Sequence, residues 1–345
     1  MMKDTNKKYI LPDYTKKIDK IFLVSPFVRG EKFFNEFANL LELIISLKKG
    51  EIVLVSPSEE DKKKLENSLQ GFFKMKSELY MLNFINYYIV RVLDVWIRDY
   101  FSCGNVLYDN KILGIKGIYA PSYNSYSPYI DDAAGIKLMT NYYEDYITLP
   151  IKLDGGNLIC NDEYIICSEK IYTENYNFSK KEIDEYFEKN FKQKLIVLPC
   201  EILDVIGHVD SIMRFLTPRL IVLSIYDSEY KADNRYVSKI REILLQKLGL
   251  DYEIIFLPSA LSDDINDDNI FSAKGLFINF LRLDDCIIFP SFEGLEDYNR
   301  EISEILRKKT DNLNIYFSPC DKYSFEGGCF NCITNVKFNC SVDEI

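Results

Sequence analysis

The 345-residue chain predicts an α/β fold. Three observations carry that reading. Short apolar runs ending at proline recur along the chain, helical stretches lie between several of them, and no Gly/Ser linker or low-complexity tract interrupts the series. A single domain over residues 1–345 is therefore expected.

The apolar runs are FLVSPF from 22, IVLVSP from 52, LIVLPC from 195, IIFLPS from 254, IIFPSF from 287 and IYFSPC from 315. Each is too short for a helix and rich in Ile, Val, Leu and Phe. Each also closes on a residue that cannot donate to a ladder, as expected of a buried strand running into a loop. Between them, residues 31–48 place Phe33, Phe34, Phe37, Leu40, Leu41 and Ile44 on one helical face, with Gly50 as the predicted stop. A capping box, Ser179 with Glu182, opens a helix at 179, and further helices are expected near 231–247 and 294–309. The units repeat at roughly 60 to 70 residues, a spacing compatible with a doubly wound sheet, a barrel or a propeller-like ring.

Composition narrows the function. With 53 acidic residues against 42 basic ones and a net charge of −11, the surface has no electrostatic grip for nucleic acid or an anionic membrane. A small cationic ligand suits it better. The opening MMKDTNKKYI has no apolar stretch resembling a secretory signal, and no segment holds about 18 uninterrupted apolar residues, which predicts a soluble, cytoplasmic protein. Nine scattered cysteines read as mostly reduced thiols. Assembly into a homo-oligomer is compatible with the sequence and not specified by it.

Candidate chemistry begins with EGGCFNCITN at 326–335. Cys329 and Cys332 could form a metal clip, a redox pair or a buried structural element, or one of them could be a nucleophilic thiolate. Zinc is disfavoured because no second C-x-x-C exists and the chain owns one histidine, His208. A redox pair would open a helix after a strand, whereas CFNCITNVKFN is β-branched and aromatic and reads as extended. The glycine pair Gly327–Gly328 would let backbone and substrate approach a thiol. A thiolate needs a proton acceptor, so its partner must be His208 or a carboxylate. Candidate carboxylates sit in three loop motifs: Asp99 in WIRDY beside the only tryptophan, Trp96; Asp154 in DGGN with Asn157; and Asp210 two residues after His208.

Taken in order, WIRD, GGN, GHVD, FIN and GGCFNCIT over residues 96–334 resemble the agmatine deiminase and bacterial-type peptidylarginine deiminase family of guanidino-modifying enzymes. The resemblance covers roughly three quarters of the chain and implies a five-bladed α/β-propeller of pseudo-fivefold symmetry, with the site on its axis. It assigns Cys332 as nucleophile, His208 as general acid and base, and Asp99 and Asp210 as the carboxylates that bind a guanidinium. Asn279 matches an active-site asparagine, Trp96 walls the pocket, and Asp154, Asn157, Gly327 and Gly328 fall at substrate-facing positions. It implies no metal and no organic cofactor, with agmatine as first substrate. Free or peptidyl arginine, amidino transfer, and a ligand-sensing protein without turnover stand as alternatives. Four positions depart from the family pattern, Phe101-Ser102 replacing a usual Gly-Pro, Ile206 an acidic or polar residue and Asn331 a histidine, and the first 20 residues lack the family's tryptophan-rich opening.

Overall fold

A computed structural model of the chain describes residues 7–123, 127–201, 204–266, 269–310 and 312–339. These residues fold into an α/β structure of five small sheets, each built on the same three-strand unit. The first strand of a unit pairs antiparallel with the second, and the second pairs parallel with the third. The units are Gly104–Tyr108, Lys111–Ile118 and Tyr146–Lys152; then Ile159–Cys160, Tyr164–Ser168 and Lys194–Leu198. Met213–Thr217, Leu220–Ile225 and Glu253–Pro258 follow, and then Leu281–Leu283, Cys286–Ser291 and Asn314–Pro319. The fifth unit joins the two ends of the chain: Thr334–Phe338 pairs with Ile18–Val24, which pairs with Glu51–Ser56. Tyr9–Leu11 and Ile85–Ile89 add edge strands to the first and fifth sheets.

The parallel pairs require crossovers, and helices supply them. Phe34–Leu47 buries Phe37, Leu40, Leu41 and Ile44 completely or nearly so, and each such side chain contributes about 1.5–3 kcal/mol by leaving water. That helix stops at Lys48 in the left-handed conformation (φ 54°), before Gly50. The Ser179–Glu182 capping box forms as expected, opening Lys180–Asn190. Helices Lys231–Leu248 and Glu296–Arg307 fall where the periodicity places them.

All six proline-ended runs are strands, but Pro258, Pro290 and Pro319 lie inside theirs. Pro290 is tolerated in a middle strand because Leu281–Leu283 pairs only as far as Ile288, so no neighbour on that side seeks its missing N–H. The cysteine segment departs from expectation more sharply. Cys329–Ile333 is a tight helical turn, with the Cys332 and Ile333 amides both donating to the Cys329 carbonyl, and extended structure begins only at Thr334. Among the described residues, no helix is long and apolar enough to cross a membrane.

Candidate active site

In each of the five units a motif residue stands just ahead of the first strand, in a single helical or bent turn. Asp99 lies in the one-turn helix Ile97–Tyr100, Asp154 caps the 3-10 turn Gly155–Asn157, and His208 caps the turn Val209–Ser211 that carries Asp210. Cys332 precedes Thr334–Phe338, and in the remaining unit Asn279 precedes Leu281–Leu283. Repetition of the unit thus brings residues from five distant stretches to equivalent positions.

Gly156 marks where they converge. A Cβ built there would lie 2.6 Å from His208 Nδ1, 2.8 Å from Asp99 Oδ1 and 3.3 Å from Asp210 Oδ2. Any side chain at this position would displace the imidazole and both carboxylates. With hydrogen alone, the Gly156 amide donates to Asp99 Oδ1 at 2.9 Å. His208 Nε2 is bound to Asp154 Oδ2 at 2.9 Å, and Nδ1 faces Asp99 Oδ1 at 3.6 Å. Tyr123 Oη donates to the same Asp154 oxygen at 3.1 Å.

Asn331, the departure beside Cys332, donates its side-chain amide to Asp210 Oδ2 at 2.7 Å and its backbone N–H to the Asn279 carbonyl. Cys332 Sγ in turn points at Asn279 Oδ1, 3.4 Å away. Arg98 ties the Asp99 helix to the cysteine turn: its amide donates to the Cys332 carbonyl and its Nε to that of Asn331.

A cavity of about 430 Å³ opens onto these groups, and Trp96, Asp99, His208, Asp210, Asn279, Gly327, Gly328 and Cys332 all line it. Asp154 and Asn157 are not among the described lining residues. Asp154 stands behind the imidazole as its partner, while Asn157 accepts the Ser168 amide and braces the neighbouring strand. The substrate-facing positions implied for these two thus correspond to supporting contacts here. The glycine pair lines the cavity and also packs against protein side chains. A Cβ on Gly328 would meet Trp96 Cζ3 at 2.7 Å and one on Gly327, whose φ is +97°, would meet Ile270 Cγ2 at 2.6 Å. Protein side chains therefore occupy the space these glycines leave. Tyr123 carried no motif, and although Arg98, Gly156 and Asn331 lie within WIRD, GGN and GGCFNCIT, their supporting contacts were not readable from sequence. The glycine repeat in DGGN was the one available hint.

The charges are unusual for a thiol site. Burial pushes the Asp99 carboxyl up; the His208 charge opposes that, and Asp154 and Asp210 add to it, leaving Asp99 at about 7. Burial works against a charged His208, but Asp99, the hydrogen bond and charge of Asp154, and Asp210 outweigh it and raise the imidazole to about 9. Burial, then the Asp210 and Asp99 charges, push the Cys332 thiol well above its ordinary value. A nearby histidine alone would lower that thiol, and burial first, then the surrounding carboxylates, carry it the other way. Among the described residues, no group of three or more His, Cys, Asp or Glu side chains is arranged to hold a metal ion. Cys329 is fully buried, and Cys340 lies outside the described residues.

The shifts fix a pH dependence of stability. Both groups are raised on folding, Asp99 from 3.8 to about 7 and His208 from 6.5 to about 9. Their contribution is full below the unfolded values and disappears as pH rises through the folded ones, since the unfolded chain then binds fewer protons than the native one. Thermal unfolding of the ligand-free protein should show Tm falling between pH 6.5 and 9, a loss on the order of a few kcal/mol, and His208→Gln should flatten the fall. A Tm that holds or climbs across this interval contradicts the assignment.

Sequence comparison agrees with the geometry. Residues 28–336 match the model of the Porphyromonas-type peptidyl-arginine deiminases. The chain belongs to that family. It is also 24% identical, over 282 residues, to a Listeria monocytogenes protein provisionally named agmatine deiminase 2, covering 70% of this chain and 73% of that one. Two solved structures share the fold: the Enterococcus faecalis agmatine deiminase, with a TM-score of 0.81 at 16% identity over 98% of this chain and 99% of that chain, and the C. jejuni agmatine deiminase, with a TM-score of 0.77 at 16% identity over 99% of both. At such identity the likeness is one of fold. The family match therefore rests on sequence, and the structural match shows the shared α/β fold.

Proposed function

We propose that the protein is a guanidino-group deiminase that converts agmatine to its ureido product and ammonia through a covalent adduct on Cys332. In this reading the five sheets are the blades of an α/β-propeller, with the site on its axis. The observation that carries the proposal is the convergence of His208, Asp99 and Asp210 about Gly156, at a cavity whose wall also holds Cys332.

A guanidinium is a planar cation with forked donors, and Asp99 and Asp210 offer it charge-assisted hydrogen bonds worth about 1.5–3 kcal/mol each. Burial and then these two carboxylates hold the Cys332 thiol high; the cation's arrival offsets the carboxylates, so loss of the thiol proton to solvent is coupled to binding. Sγ then attacks the central carbon and the C–N bond to the departing nitrogen breaks. His208 gives that nitrogen a proton, and ammonia leaves. In the second half, water adds to the S-linked amidinium, His208 takes its proton, the C–S bond breaks and the thiol is restored. With Nε2 held by Asp154, Nδ1 is the nitrogen free to exchange the proton.

The outer cavity supports a dicationic substrate. Glu201, Asp204, Asp233, Asp263 and Glu326, the last paired with Lys32, line it together with Lys274 and with Arg29, which is bound to Asp94; burial and Asp233 raise Glu201 to about 7. The free carboxylate of arginine would meet repulsion here, whereas the distal ammonium of agmatine would not. Ammonia release across agmatine, arginine, arginyl peptides and longer alkylguanidines tests the reading. Agmatine is expected to give the highest kcat/KM. Release from no guanidino compound, or only when an acceptor amine is added, would defeat it.

A further inference from the structure

Lys170 is a buried lysine that the proposed chemistry does not use. It opens the short helix Lys170–Thr173, at the end of the strand Tyr164–Ser168, and its side chain runs under the loop that leads to His208. The ammonium donates to the carbonyls of Val205, at 3.0 Å, and Ile206, at 2.6 Å, immediately ahead of Gly207-His208. It also lies 4.0 Å from the centre of the Tyr123 ring and 3.9 Å from a Glu174 oxygen. An ammonium has three N–H donors. Two are spent on the loop, and the third direction faces an aromatic ring and a carboxylate.

The same cluster holds both sides of the imidazole. Glu174 accepts from the Ser122 amide at 3.1 Å, anchoring the residue before Tyr123, and the Tyr123 hydroxyl reaches Asp154 Oδ2, the oxygen that binds His208 Nε2. On the other side Ser168 Oγ donates to the Gly207 carbonyl, so the loop is pinned at three successive carbonyls, those of 205, 206 and 207. Gly207 has φ +61°, and a Cβ there would stand 3.1 Å from Cys200 Sγ and 3.7 Å from Lys170 Cδ, so the loop packs closely on the lysine stem. Asp154, Glu174, Asp204 and Cys200 are the titratable groups that face the ammonium.

We propose that Lys170 is a positioning residue: by clamping the carbonyls of Val205 and Ile206 and seating the Tyr123 ring, it holds His208 in the orientation that the reaction requires. Its importance to turnover rests on the deiminase reading above, whereas its effect on the imidazole does not. Because His208 is the only histidine in the chain, protein labelled with isotopic histidine reports on this one ring. Lys170→Met keeps the stem and removes the donors. It is expected to shift or broaden the His208 imidazole signals, to move their titration, and to lower kcat about tenfold or more while KM changes by less than about threefold. Lys170→Arg is expected to recover most of both effects. Should the Met variant fail to fold, Lys170→Gln, shorter and neutral, is read in the same way. Imidazole signals and titration equal to those of the wild type overturn the proposal, whether or not turnover falls, because the lysine would then act elsewhere. The resonance measurement needs no substrate, so a wild-type protein inactive on every guanidino compound would defeat the proposed function while leaving the clamp tested.

Discussion

Cys332→Ser should lower ammonia release from the best guanidino substrate by a factor of about a thousand or more, and His208→Ala should do the same, because each removes a group that the covalent route cannot replace. Cys329→Ser is the control. That thiol is fully buried, points at the Ala273 carbonyl from 3.8 Å and is absent from the described lining of the cavity, so turnover should stay within a few-fold of the wild type. The double substitution should cost no more than Cys332→Ser or His208→Ala alone, since the two act on one reaction coordinate. Mass spectrometry of a rapidly quenched reaction should find the adduct on the peptide carrying Cys332. Equal damage from Cys329→Ser, or an adduct on that residue, would relocate the nucleophile.

Asp99→Asn and Asp210→Asn should each weaken guanidinium binding by several kcal/mol, because a cation would be desolvated against an unmatched site. Binding is best measured by calorimetry in the Cys332→Ser background, where turnover cannot distort the isotherm. The two variants should differ in a second respect. Asp99 is the strongest of the charges that raise His208, so its loss should bring the imidazole back toward its ordinary value. Asp210 is held by the Asn331 amide, so Asp210→Asn also leaves two amides facing each other and should cost folding stability. Affinities within about twofold of the parent for both variants would remove the carboxylates from the binding role.

Local signals account for much of what was legible. Strand runs such as IVLVSP and IIFLPS and the Ser179 capping box depend on neighbours within a few residues, and all appear where the pattern places them. The order of the motifs was enough to suggest the family and a set of site residues, of which Trp96, Asp99, His208, Asp210, Asn279, Gly327, Gly328 and Cys332 share one cavity. The cysteine turn was misread because Phe330 and Ile333 favour strands by composition, whereas hydrogen bonds donated by Arg98 and accepted by the Asn279 carbonyl, more than fifty residues away along the chain, fix Cys329–Ile333 as a turn.

What sequence alone determined is a charge balance suited to a small cation, a strand and helix alternation, and one thiol that had one imidazole to work with. What only the tertiary structure decided is the sign and the company of those groups. Asp154 backs the histidine, Gly156 leaves the gap in which three side chains meet, Asn331 steers a carboxylate, and Lys170 reaches the loop from another sheet. The physical reason is distance along the chain. Desolvation and Coulomb energies depend on which charges become neighbours inside the fold, and the pairing of Thr334–Phe338 with Ile18–Val24 that closes the fifth sheet joins segments no local pattern could connect.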